Sequence, residues 1–162
     1  MRRRRVLPGL VVGVLAMLSL TGCGVFGLGA ESHTCVDWAW FESPADALEE
    51  ADAVVAGHVV GPAGDTQLFG ERAPIWTVAV DEWITGDGPD ELDVVSVPAT
   101  CEATPPADPF AAVQDEDRVI VFLHDDPDVG WRAITPWQGI VPAGADGGVP
   151  EVWPVGATPS GE

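Results

Sequence analysis

The sequence predicts a mainly β domain, a small barrel or sandwich with one short helix, set behind an export segment. Three observations carry this. Short apolar runs recur along the chain, alternating at period two in Ile75–Ile84 and most strand-like in Arg118–His124. Turn-forming clusters separate them, notably Thr85-Gly86-Asp87-Gly88-Pro89 and Asp125–Val129. A helix-start signature, Ser43-Pro44-Ala45-Asp46, stands before the valine-rich run.

Each element follows from its residues. Cys35–Trp40 alternates and reads as a first extended segment. Ser43 can cap a helix, Pro44 suits the first helical position, and Asp46 lies near the positive end of the helix dipole. The helix is therefore expected from Pro44 to about Ala51. Ala53–Val60 is a valine-rich strand interrupted by Gly57, and Ile75–Ile84 and Leu92–Val97 are the next two. Pro98–Pro109 reads as a proline-rich loop holding Cys101. Arg118–His124 is the most strand-like segment and should pair with Gly130–Thr135 across the Asp125–Val129 turn. Gln138–Val141 and Val149–Trp153 are shorter candidates. Six or so short strands around one helix point to a barrel or sandwich.

The N-terminus has a different character. Arg2 to Arg5 are cationic, Val6–Leu20 carries no charge, and Leu20-Thr21-Gly22-Cys23 ends the segment with small residues before a cysteine. A positive start, an apolar middle and small residues before a cut are the layout of a secretory signal peptide. The last four residues resemble the lipobox of bacterial lipoproteins. The resemblance implies cleavage after Gly22 and a diacylglyceryl thioether on Cys23. It also implies a domain held by lipid at the outer face of the cell membrane, since two acyl chains give a stable anchor. The alternative is an uncleaved membrane helix over Val6–Ala30, which Gly22, Gly24, Gly27 and Gly29 weaken. Both readings keep the arginines cytoplasmic. The expected organisation is a signal peptide over 1–22, a flexible tether over 23–34, the β domain over 35–156 and a frayed tail over 157–162.

Charge narrows the function. From Cys23 onward three arginines face 26 carboxylates, a net −23, and the chain has no lysine. Such a surface repels nucleic acid and bare anionic membrane, and leaves cations or basic partners as its natural company. The acidity also serves solubility. With Cys23 lipidated, Cys35 and Cys101 remain. An oxidising compartment makes one disulfide the default, closing a loop worth ~4 kcal/mol on the chain-entropy view. His33-x-Cys35-x-Asp37 offers mixed metal ligands but lacks a second half with ligand spacing.

One resemblance extends across the domain. A cysteine, a helical stretch and Ala51-Asp52-Ala53-Val54-Val55-Ala56-Gly57-His58-Val59 come first. Trp76-Thr77-Val78-Ala79-Val80 follows, closed by Trp83-Ile84-Thr85-Gly86. A second cysteine, Cys101, then precedes Asp117-Arg118-Val119-Ile120-Val121-Phe122-Leu123. Over roughly 35–135 this resembles the netrin-like domain, the OB-type barrel shared with tissue inhibitors of metalloproteinases. The resemblance implies an OB-like fold. It departs at Thr85-Gly86, where the family has Lys-Gly, and at Val119-Ile120 and Phe122, where it has a Tyr-Leu-Val run. It also keeps one cysteine pair where the animal proteins keep several. Metalloproteinase inhibition relies on a free N-terminal cysteine amine, whereas Cys35 lies inside the chain. The bias to valine, alanine and glycine resembles actinobacterial proteins.

No catalytic set is arranged in the sequence. His33, His58 and His124 are isolated, no serine sits in a nucleophile elbow, and no phosphate loop or dinucleotide fingerprint occurs. The acidic clusters at Asp115, Asp117, Asp125, Asp126 and Asp128 flank one strand and are the candidates for calcium, although none follows an EF-hand spacing. The seven tryptophans either fill the core or line a ligand groove, with Trp137 and Trp153 expected on the surface. The function expected is a non-enzymatic binding or scaffold module of the cell envelope, monomeric, without cofactor, with an envelope protein as partner. Protease inhibition and a small carboxylate-based hydrolase are the alternatives.

Overall fold

A computed structural model describes residues 34–102 and 106–157, and shows a mainly β, OB-like barrel. The expected signal peptide and lipobox and residues 23–33 of the expected tether, His33 included, fall outside these residues, as do residues 158–162 of the expected tail. The elements run α1 (Pro44–Glu50), β1 (Ala53–Leu68), β2 (Glu71–Thr85), β3 (Glu91–Val95), α2 (Pro109–Val113), β4 (Val119–Asp126), β5 (Gly130–Ala133) and β6 (Ile140–Pro142). No helix among the described residues is long and apolar enough to cross a membrane.

Five strands close on themselves. β1 pairs with β2, β2 with β3, β3 with β5, β5 with β4, and β4 returns to β1. Every pairing is antiparallel except β3 with β5, which meet in parallel at Val95 and Arg132. Together with a helix between β3 and β4, this strand order makes the barrel OB-like. β6 adds to the edge of β4 through Val119–Pro142, Ile120–Val141 and Val121–Ile140.

The alternation in the sequence maps onto two apolar layers. Val55, Val78, Val94, Val119, Val121 and Leu123 fill the barrel interior. Val54, Ala56, Ile120 and Phe122 point the other way, into an outer layer with Phe41, Ala47 and Val141. Both faces of β4 are covered, so Val119–Leu123 reads as an unbroken apolar run. Helix α1 and the segment around Trp153 pack on this outer layer. α1 starts where its signature lies: the Ser43 hydroxyl accepts from the Asp46 amide, and the Asp46 carboxylate accepts from the Ser43 amide.

Four details differ from the expectation. Gly57 does not interrupt β1; it allows β2 to approach closer than a side chain would permit. A Cβ there would stand 2.0 Å from the Ala79 carbonyl oxygen. β1 and β2 run eight and four residues further than the apolar pattern suggests, to a two-residue turn at Phe69 and Gly70. Both turn residues have positive φ, 56° and 84°, as an I′-type hairpin turn requires. Cys35–Trp40 and Val149–Trp153 form no strand, and are held instead by side chains. The buried Gln138 both donates to and accepts from the Phe41 main chain, and Trp153 Nε1–H donates to the same carbonyl. Lastly, a second helix, α2, begins at the last residue of the expected Pro98–Pro109 loop and continues through a stretch where no element was expected. Asp108 caps it, accepting from the Phe110 amide, the Trp76 indole and the Ser96 hydroxyl. Phe110 is thereby seated in the barrel interior, stacked on Trp76.

Candidate functional site

The two cysteines expected to pair are bonded. Cys35 and Cys101 are 5.4 Å apart at Cα and join the N-terminal segment to the loop after β3. Two hydrogen bonds support the staple: Val36 N–H donates to Thr100 Oγ1, and Thr34 N–H to the Phe69 carbonyl. Trp38 lies edge-on to Phe69, so the hairpin turn is tucked against the stapled segment.

The carboxylates singled out for calcium do not converge. No group of three His, Cys, Asp or Glu side chains suited to a metal exists among the described residues. Asp115 and Asp117 are exposed on the α2–β4 turn. Asp126 serves the β4–β5 hairpin: it accepts from the Asp128 amide and from Arg132 Nε at 3.0 Å. Burial pushes the Asp126 carboxyl up, but the Asp128 amide and the Arg132 guanidinium together outweigh it. They hold the group below its ordinary value. Asp125 donates its amide to Asp52, which also lies 2.7 Å from His124 Nδ1. His58 stands 4.0 Å from Asp81. Both histidines are thus held by single carboxylates on an open surface.

All three arginines of the domain are matched internally. Arg132 pairs with Asp126 and lies over the Trp38 ring; Arg118 pairs with Asp81 and Glu82; Arg72 pairs with Asp65. The positive charge on the barrel is therefore committed to its own carboxylates, and the surface it shows outward is acidic.

The tryptophans divide differently from the expectation. Trp153 is structural, with its ring against Phe122 and its indole N–H on the Phe41 carbonyl. Trp76 is buried, and Trp83 packs on Trp131. Trp40 is the open one, at 42% exposure, above a shallow depression with Glu42, Asp46 and Glu50. Trp137 is half-buried and lines a groove, as a ligand-facing indole should.

That groove is the candidate site. It holds ≈ 420 Å³ between α2, β6 and the last described residues. Ala112 and Val113 of α2, Trp137, Ile140 and Pro142 in and before β6, and Pro154 and Val155 line it. A second depression of ≈ 330 Å³ continues toward Cys101 and shares Pro106, Ala107, Pro109 and Pro136 with the first. The two adjoin at these four residues, and together they are the trough beside α2. Sequence reading reaches Trp137 but not the trough, because its walls come from a helix hidden in a proline-rich stretch. The geometry defines a small disulfide-stapled barrel with an apolar, proline-walled trough. No known protein family, curated protein or solved structure matches this chain.

Proposed function

We propose that this chain is a lipoprotein of a bacterial envelope, anchored by Cys23, whose barrel is a non-enzymatic binding module. The trough beside α2 is the observation that carries the binding role. It offers apolar walls, one indole and a volume in the range of ligand sites, on a domain whose core is otherwise closed. The address rests on the Arg2–Arg5 start, the apolar run and Leu20-Thr21-Gly22-Cys23. The Cys35–Cys101 bond supports it, since disulfides persist in extracytoplasmic space. The OB-like strand order supports a netrin-like origin, with the inhibitory cysteine amine lacking because Cys35 is internal.

Two measurements test this reading. Metabolic labelling with radioactive palmitate should mark the wild type and not Cys23→Ala, and the variant should leave the membrane fraction. A Cys23→Ala protein that stays in the membrane unlabelled would mean an uncleaved helix. Photocrosslinking in cells from a benzophenone residue at position 155 should capture one envelope protein, enriched over an equally lipidated control domain. Val155 borders the trough with a fully exposed side chain, so the probe stands at its rim without disturbing the core, and capture reports a partner seated there. No enrichment at that position would remove the binding role.

A further inference from the structure

We infer that the trough receives an extended, basic and apolar peptide segment of a partner protein; this rests on the binding role proposed above. Four observations carry it. First, two depressions adjoin over four shared residues, Pro106, Ala107, Pro109 and Pro136, and so offer room to successive residues of a chain more than to one compact molecule. Second, the lining is short of hydrogen-bond donors. Five of the fifteen residues around the larger depression are prolines, which have no N–H and present rings and carbonyl oxygens. A ligand with N–H donors of its own satisfies those acceptors; an anion does not. Third, the charge is complementary. Glu116 borders the larger depression and Glu102 the smaller, with Asp115 and Asp117 on the adjoining turn. Fourth, Arg72, the arginine in the trough lining, is paired with Asp65. Guanidinium or ammonium groups on alternate residues would meet the acidic rim, while the apolar residues between them contact Trp137, Val113 and Pro142.

The test uses full-length protein in detergent and three fluorescein-labelled decapeptides, alternating Arg-Val, Ser-Val and Glu-Val. Anisotropy should show Arg-Val binding at least tenfold tighter than Ser-Val, with Glu-Val weakest. Raising salt should weaken Arg-Val and leave Ser-Val nearly unchanged. Glu116→Lys, on an exposed side chain, should weaken Arg-Val severalfold and tighten Glu-Val. Trp137→Phe should weaken both Arg-Val and Ser-Val, with an unchanged melting curve as the control for folding. A benzophenone at position 155 should crosslink to the Arg-Val peptide.

Equal binding of all three peptides, or tighter binding of Glu-Val, would overturn the inference. So would a 155-to-155 crosslink in the peptide-free protein, which would seat a second copy in the trough. The two levels fail separately. An envelope protein captured in cells at position 155 through a folded, acidic surface sinks the basic-peptide inference and leaves the binding role standing. Absence of any capture sinks the role itself.

Discussion

One strand contains two different kinds of β structure. From Ala53 to Val59, β1 is paired through Gly57 on both edges, by β2 and by β4, and its side chains alternate between barrel interior and outer layer. From Val60 to Gln67 it is paired with β2 alone, and almost every side chain is exposed. Register shifts occur in both halves, at Val54/Val55 and Ala56/Gly57 and again at Val59/Gly61 and Pro62/Gly64. The backbone ladder continues, while the demand for apolar residues stops. Hydrogen bonding along a hairpin is indifferent to side-chain type, whereas burial is not, so only the first half carries a hydrophobic pattern. The second half carries one mark of a managed edge, Pro62, which removes a donor from the open side.

The largest way to break this comparison lies at Gly57. Gly57→Ala forces a methyl onto the Ala79 carbonyl where the two backbones are fixed by three strands. A loss of more than ~4 kcal/mol, or no cooperative transition at all, is expected in urea denaturation. Gly64 has open space around it, so Gly64→Ala should cost only about 1 kcal/mol, from its φ of 144°. Equal losses at the two sites would refute the contrast.

Phe122→Ala removes a fully buried ring from the outer layer and the partner of Trp153. About 3–5 kcal/mol should be lost. Replacing Cys35 and Cys101 together with serine should cost about 2–4 kcal/mol. It should also raise amide exchange at Phe69–Arg72, because the stapled segment holds the turn through Thr34 and Trp38. Unchanged exchange there would show that the hairpin tip needs no staple.

A smaller effect belongs to Asp126. Its folded value lies below the ordinary one, so its stabilisation is full above the unfolded value and fades as pH falls through the folded value. Melting temperature should therefore decline on acidification below about pH 4–5, and more shallowly in Asp126→Asn. A parallel decline in both proteins would assign the acid sensitivity elsewhere. The smallest change is Val60→Thr, on an exposed position of the outer half. It should stay within ~0.5 kcal/mol of wild type in the same denaturation assay.

The same physics decides how much could be read in advance. The barrel strands were legible because Val119–Leu123 and Ile75–Ile84 bury side chains, and burial writes itself into the order of residues. α1 was legible through its cap. α2 has the same signature, an Asp108 cap followed by Pro109, yet the surrounding prolines and its five-residue length hide it. Its one buried residue, Phe110, leaves no periodicity to detect. The β1–β2 extension was illegible because exposed pairing needs no pattern, and Phe69 is an unusual residue for positive φ. Trp153 misleads for a simpler reason: an indole followed by proline looks exposed, but its N–H has a carbonyl to reach. Of the candidate site, Trp137 was visible singly, while the trough depends on how α2 and residues 154–157 come together.

The disulfide also sets how the molecule bears mechanical load. A pull on the main chain before Cys35, against a hold at the C-terminus, passes through the sulfur bridge directly to Cys101. The chain between them, a separation of 66 residues, lies off the line of tension and contains β1, β2 and β3. Stretching can draw out only the residues beyond Cys101. A reductant would release roughly 220–240 Å of further contour length. Under oxidising conditions three of the five barrel strands stay shielded from any force applied to the chain ahead of Cys35.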